Sequence, residues 1–497
     1  MLPVRDTPTH TRAVVVGAGF AGIGASIALA RAGVDHGVLE RAGDLGGTWR
    51  ENRYPGCRCD VPSHLYSFSF APNPEWSETY SLHDEIWEYL RRTAERFGVT
   101  DRTLFHTEVL EAAWSDADQR WHLTTSAGKR TADVLVLGYG PLAEPSVPDI
   151  PGLSKFKGTM FHSAKWPDDH DLTGERVAVI GTGASAIQIV PAIQPVVDHL
   201  TVFQRTPPWV LPHRNRRISR FERSVYRKFP AAQRFVRQFV YWSREAVAGA
   251  MMLRLGKGSE RLERFARRHL ERHVRNPDLR AKVIPEYRPG CKRLLPSNDW
   301  YPAIQKPNVD LVTEKILEIG PDRIITVDGS EIPVDTIVFA TGFHVTDNPV
   351  VERVRGRDGR TLGEHWSTGG MSAYLGTTVP GFPNMFMLAG PNTGIGHTSL
   401  VFMIEAQLAY VVDALETMER RGAAAVELRP SVVESWTDEI QRKVARTVWN
   451  AGGCASWYLD AEGRNTTLWP DYTFRFQRRT RRFDAESYEF TVNRSAR

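Results

Sequence analysis

Short apolar runs that end in glycine recur along this chain and predict its architecture. Residues 13–16 are four consecutive apolar positions, the pattern of a strand buried on both faces of a parallel sheet. Gly17, Gly19 and Gly22 follow at once, residues 23–32 read as a helix stopped by Gly33, and 37–39 as the next strand. The same order returns in the strand 176–180, the loop Gly181, Gly183 and Ala186, and the strand 200–203. Residues 133–140 and 335–343 are further buried strands that run into turns. So are 384–392, which precede a helix over 399–417. Strand signals fade between 211 and 290, where 219–228, 232–252 and 259–275 read as helices. Pro145, Pro148 and Pro151 mark 141–151 as a linker.

This order predicts an α/β fold with two Rossmann-like dinucleotide-binding domains and a helical insertion in the second. The expected boundaries are 1–150 with 331–497 for the first domain, 151–212 with 288–330 for the second, and 213–287 for the insertion. There is no internal repeat beyond the two nucleotide units.

The first loop states its chemistry through its glycines. Gly17 allows the tight turn, Gly19 lets the backbone approach a pyrophosphate, and Gly22 lets the helix pack close to the strand. The helix that opens at Phe20 offers free N–H groups to the phosphates. Glu40, followed by Arg41, ends the next strand about 20 residues past the loop, where an acidic side chain accepts from a ribose diol. In the second loop Ala186 replaces the third glycine, and Thr182 and Ser185 fill the remaining positions. No acid ends its second strand, which runs into Gln204, Arg205 and Thr206. A guanidinium there pairs with a 2′-phosphate, where a carboxylate would repel it. The first site is therefore expected to hold FAD and the second NADP(H). A solvated surface role is the alternative for Arg205.

Composition narrows the class. The 497 residues contain no run of about 18 apolar positions such as a membrane span needs. The first ten residues hold no apolar run of leader length, so no secretory leader is expected. Four cysteines (Cys57, Cys59, Cys291, Cys454) make no disulfide framework in a chain this long, and no metal set is visible. A cytoplasmic location is expected. Charge is unevenly spread: residues 211–290 carry 21 Lys and Arg against 7 Asp and Glu, a net of +14 in a chain whose total is +5. A solvated insertion whose field draws in an anionic cofactor is the first reading. A membrane-surface patch is the lesser one. Nucleic acid is not expected, since no reading module is present. Nothing in the sequence gives the oligomeric state.

Two segments carry a more specific likeness. Phe156, Gly158, His162, Trp166 and Pro167 fill every fixed position of the pattern F-x-G-x-x-x-H-x-x-x-W-P. Residues 46–60, with Gly47, Thr48, Trp49, Tyr54, Gly56 and the final Asp60, fit a second motif. Together with the turn at Arg205 and Thr206 and the pair Lys292 and Arg293, they make the chain resemble the type I Baeyer–Villiger monooxygenases from about Ala13 to Pro470.

The resemblance implies a reaction. NADPH reduces FAD, the reduced flavin takes up O2 as a C4a-peroxide, and the peroxide attacks a ketone, which leaves as an ester or lactone; sulfides are oxidised on the side. Arg293 is then the catalytic cation beside the negative charge, Asp60 holds it in place, and Lys292 reaches the 2′-phosphate of NADP. Trp49 would wall the nicotinamide and flavin pocket, with a plain core role as its alternative, and Gly47 and Thr48 would contact the cofactor. Trp457 would fold over NADP from a mobile loop, with a plain core role as its alternative. His162 is expected at the hinge between domains, with a structural role. His397 and Thr398 are expected near the flavin ring without an assigned role. An interdomain salt bridge without catalytic duty is the bland alternative for Arg293 and Asp60.

Two other functions remain open at this stage. A heteroatom (N/S) hydroxylating flavin monooxygenase shares the loops and the central histidine. A disulfide reductase with two similar loops would require a redox pair beside the flavin, and the only close pair, Cys57 and Cys59, lies inside the other family's motif.

Overall fold

The structure is a computed structural model that describes residues 9–251, 253 and 257–492. The outer ends of the expected first domain (1–8 and 493–497) and Met252, at the end of an expected helix, lie outside the described residues.

Two parallel-rich sheets carry the molecule. In the first, the strand His10–Val16 lies between Gly128–Leu137 and His36–Leu39, parallel to both. Gly128–Leu137 also pairs in parallel with Met385–Met387, so the C-terminal part of the chain returns to this sheet. The helix Phe20–Arg31 leaves the first strand and packs on the long helix Leu400–Arg421. Nearly all of Phe20–Arg31 is buried, which suits a sequence apolar on all faces.

The second sheet has five strands, with Arg176–Ile180 flanked by His199–Phe203 and by Thr336–Phe339. This corrects one boundary. The second segment of the expected first domain begins at 331, yet Thr336–Phe339 pairs in register with Arg176–Ile180 on one side and with Thr159–His162 on the other. All four of its residues are buried. The periodicity finds the strand, but a wholly apolar run fits either sheet, and only the pairing decides.

The crossing back to the first unit comes just after that strand. There the Ser146 N–H donates to Gly342 O (2.9 Å) and the His344 N–H to Glu144 O (2.9 Å), so the two linkers between the units pair with each other.

The insertion is helical, with Arg220–Lys228, Pro230–Met251 and Lys257–His273. Ser219 and Glu222 cap the first of these reciprocally, as a capping box does.

Candidate functional site

The first glycine loop is built to leave room for a ligand. Gly17 has φ +93°, and a Cβ on it would meet Gly138 O at 2.9 Å. A Cβ on Gly22 would lie 1.8 Å from Gly17 O, so only glycine lets this helix approach its strand. Gly47 has φ +52° and faces Gly19 across the cleft, where an added Cβ would reach Gly19 Cα at 2.9 Å. Gly17, Gly19, Phe20, Glu40, Arg41, Gly47, Thr48, Trp49 and Tyr66 line one cleft, to which Leu400 and Val401 of the long helix also contribute.

The carboxylate of Glu40 is buried and held by the N–H groups of Ala18 (2.7 Å) and Ala42 (2.9 Å). It therefore stands at the mouth of the loop with acceptor capacity to spare. Arg41 pairs with Glu144 on the linker. The indole N–H of Trp49 donates to Tyr66 OH (3.1 Å), and the two rings meet edge to face. These features fit a dinucleotide.

In the second loop a Cβ on Gly181 would sit 2.5 Å from Ala340 O, whereas nothing lies within 4 Å above Gly183. That opening is where a phosphate would approach. Thr182 donates from its hydroxyl to Thr206 O (3.2 Å) and ties the loop to the following turn. Ser185 precedes the helix Ala186–Ile193, whose first residue is fully buried. Arg205 is exposed beside this opening. Burial, and then repulsion from the Arg205 guanidinium, hold Lys292 below the ordinary lysine range. Two neighbouring cations make a place for an anion.

Arg293 and Asp60 meet as a fork. Nε donates to one carboxylate oxygen and Nη2 to the other, each at 2.6 Å. Burial opposes the charge on Asp60, but the guanidinium outweighs it, and the carboxyl stays below its usual range; the arginine is correspondingly raised. The buried Tyr458 stands beside the pair, and burial pushes its phenol up to about 12. Arg244 of the insertion adds a further positive influence on Asp60. Neither Tyr458 nor Arg244 stood out in the sequence, because a lone tyrosine or one arginine in a basic stretch carries no spacing signal.

The two specific segments come together. Arg53 to Cys57 and Trp166 to Asp168 line one surface pocket. Arg53 pairs with Asp168 (3.0 Å), and Lys165 donates to Glu51 (3.2 Å). Tyr54 OH donates to Gln188 Oε1 (3.1 Å), on the helix that follows the second loop. A Cβ on Gly56 would meet Gln188 O at 2.8 Å. The segment ending at Asp60 is thus clamped to the second unit.

His162 ends the strand Thr159–His162 and is paired in register with Phe339, next to the crossing between units. Its Nδ1 accepts from the Ala164 N–H (3.1 Å), and its ring packs on Phe343. Burial pushes its pKa down to about 4. The ring is thus buried beside the linker, where it was expected.

Trp457 is 44% exposed, with its ring against Tyr458, which removes the alternative of a core role. His397 and Thr398 are buried three and two residues before the cleft-lining Leu400. Neither ring nitrogen of His397 finds a hydrogen-bond partner, and Nε2 lies 3.5 Å from Glu245 Oε1.

Two of the four cysteines pair, which the sequence reading did not expect. Cys291 and Cys454 are bridged by a disulfide across 163 residues. Distant cysteines give no spacing signal, and only the fold brings them together. The bridge joins the residue before Lys292 and Arg293 to the loop that carries Trp457 and Tyr458. It also removes the cysteine argument for a reducing compartment. Cys57 and Cys59 are free and buried, and burial pushes Cys57 up to about 12, so they form no redox pair.

Comparison with known proteins gives a consistent result. The sequence profile of the flavin-binding monooxygenase-like family matches residues 10–355. A Baeyer–Villiger monooxygenase of Streptomyces coelicolor is 51% identical over 482 residues, covering 97% of this chain and 92% of its own. Among solved structures, OTEMO in complex with FAD and NADP superposes with a TM-score of 0.87 at 28% identity, over 97% of this chain and 99% of its own. A closed crystal structure of cyclohexanone monooxygenase gives 0.87 at 29%, over 98% and 100%.

Proposed function

The chain belongs to the flavin-binding monooxygenase-like family and, within it, to the Baeyer–Villiger monooxygenases; from that premise we propose which of its residues carry the reaction. The enzyme uses FAD, NADPH and O2 to insert one oxygen atom next to a ketone carbonyl. Bound FAD supplies the chemistry no side chain offers: it takes electrons from NADPH and activates O2.

The residues divide that work. Gly17, Gly19, Gly22 and the opening turn of the helix at Phe20 receive the flavin pyrophosphate, with Glu40 on the ribose. Gly181, Gly183 and the helix beginning at Ala186 receive the nicotinamide dinucleotide. Arg205 and Lys292 bind its 2′-phosphate by charge-assisted hydrogen bonds. Trp49 and Tyr66 close the flavin cleft against water.

Arg293 takes the electrostatic role. As the ketone reacts, its carbonyl oxygen gains negative charge, and a fixed guanidinium beside it lowers the barrier. Asp60 is the positioning residue: its two oxygens fix the plane and direction of the fork. The hydrogen-bonded fork is the observation that carries this reading. It joins the end of the 46–60 segment, which lines the flavin cleft, to the residue after the phosphate lysine.

Asp60→Ala and Asp60→Asn test it. Both should keep FAD while ester formation falls in step with a slower reduction by NADPH. Ester formation at the wild-type rate in either variant removes the role.

A further inference from the structure

The insertion helix Pro230–Met251 packs Ala232, Val236, Val240 and Tyr241 on the core. A row of polar side chains is buried beside them. Gln233, Arg237, Tyr241 and Glu245 recur at a spacing of four, and all four are buried. Gln233 Nε2 donates to Asn73 O (2.6 Å). Arg237 Nη1 donates to the carbonyls of His64 (2.8 Å) and Ser67 (3.0 Å). Tyr241 bonds the Thr473 hydroxyl (3.0 Å), and the Thr473 N–H donates to Glu245 (3.2 Å).

The face turned to solvent is aromatic. Phe235, Phe239 and Trp242 are 72%, 67% and 53% exposed and share one side of the helix, since residues three, four and seven apart lie over one another. The preceding helix Arg220–Lys228 and its end add Phe221 and Phe229, at 76% and 63%. Among the described residues, five of the seven exposed Phe and Trp side chains therefore fall between 221 and 242. Scattered exposed apolar residues are ordinary; aromatic side chains exposed in such concentration mark a docking surface.

The charge around the stripe selects its occupant. Residues 220–242 contain six arginines and lysines and a single acid, Glu222. That acid is already taken by Arg216 (2.7 Å) and the Ser219 backbone. Lys228 and Arg234 flank the phenylalanines and are exposed. On the neighbouring C-terminal segment, Arg478, Arg481 and Arg482 are exposed too, and Phe474 lies against Trp242 (5.7 Å). A second copy on this face would set these cations against their own kind across a two-fold axis. A surface apolar below and anionic above satisfies both features. No described helix is long and apolar enough to cross a bilayer, so the contact is with the surface alone.

We propose that the face formed by Phe221, Phe229, Phe235, Phe239 and Trp242, with Lys228 and Arg234, docks onto an anionic phospholipid membrane. The proposal does not depend on the reaction. It places the opposite face of the same helix, which carries Arg244 and Glu245, towards the enzyme interior.

Flotation of the FAD-loaded enzyme tests this, with vesicles of equimolar phosphatidylcholine and phosphatidylglycerol against phosphatidylcholine alone. Co-flotation is expected with the anionic vesicles only and should fall as salt rises. Phe235→Ser with Phe239→Ser, and separately Lys228→Glu with Arg234→Glu, should each weaken it on the order of tenfold or more. FAD content and NADPH oxidation should stay at wild-type levels, because these side chains touch neither cleft. The proposal is overturned by absent co-flotation, by equal binding to neutral vesicles, or by variants that float like wild type. It is equally overturned if light scattering shows a wild-type dimer that the phenylalanine variant turns into a monomer, since a second copy then covers the stripe.

Discussion

Replacing Arg293 by alanine removes a cation and leaves both cofactor clefts intact. A guanidinium carries five N–H groups. Asp60 takes one on Nε and one on Nη2, which leaves the two on Nη1 and the second on Nη2 for a reacting oxygen. Losing one preorganised donor to a developing oxyanion costs about 10²- to 10³-fold in rate. The side chains of Arg293 and Asp60 retain 31% and 21% of their exposure, and residual solvent weakens the field, so the lower figure of about 10²-fold applies. The assay separates the half-reactions. Anaerobic mixing with NADPH follows flavin reduction, which should persist in part. Aerobic turnover should then yield hydrogen peroxide in place of ester, with NADPH still consumed. A variant that keeps FAD and forms ester at the wild-type rate would refute the role of the guanidinium.

Three further outcomes follow from the geometry. Arg205→Ala should weaken NADPH ten- to a hundred-fold, the effect of one lost charge-assisted contact of about 1.5–3 kcal/mol, and leave NADH unchanged; flavin reduction with both coenzymes reads this. His162 takes up its proton at about 4 in the folded chain and at 6.5 when unfolded. Stability is therefore flat above pH 6.5, falls by about 3 kcal/mol between 6.5 and 4, and has no further slope from this group below. His64, also pushed down to about 4 by burial, adds a like slope, so His162→Asn should remove only part of the fall in melting temperature. Reducing the Cys291–Cys454 bridge, or Cys454→Ser, releases a constraint across 163 residues that chain entropy puts at about 5 kcal/mol as an upper figure. The melting temperature should drop and the KM for NADPH should rise, because Lys292 and Tyr458 both hang from the bridge; an unchanged melt under reductant would show that the bridge does not form in solution.

The parts of this fold that the sequence announces are those in which local chemistry has one solution. A Cβ on Gly22 or Gly47 has nowhere to go, so glycine at those places is a statement about backbone approach. The fork of Arg293 and Asp60 was anticipated only through the resemblance to the family's motifs, since nothing local in the sequence joins two residues so far apart. What the sequence withheld are pairings across long separations. The strand Thr336–Phe339 is apolar throughout and belongs to whichever sheet it meets. Cys291 and Cys454 are brought together only by the fold. The helix Pro230–Met251 is the subtler case. Its aromatic and polar stripes are both periodic, and periodicity alone cannot say which of them faces inward.

The central claim is that this chain transfers one atom of O2 into a ketone. Turnover under ¹⁸O₂ with NADPH and a panel of linear, cyclic and aryl ketones, followed by mass spectrometry of the products, measures it directly. An ester or lactone heavier by one labelled oxygen, with NADPH consumed in step, is the predicted result. Labelled sulfoxide or hydroxylamine from sulfides and amines under tight NADPH coupling, with no ketone of any class converted, would contradict it and make the enzyme a heteroatom monooxygenase.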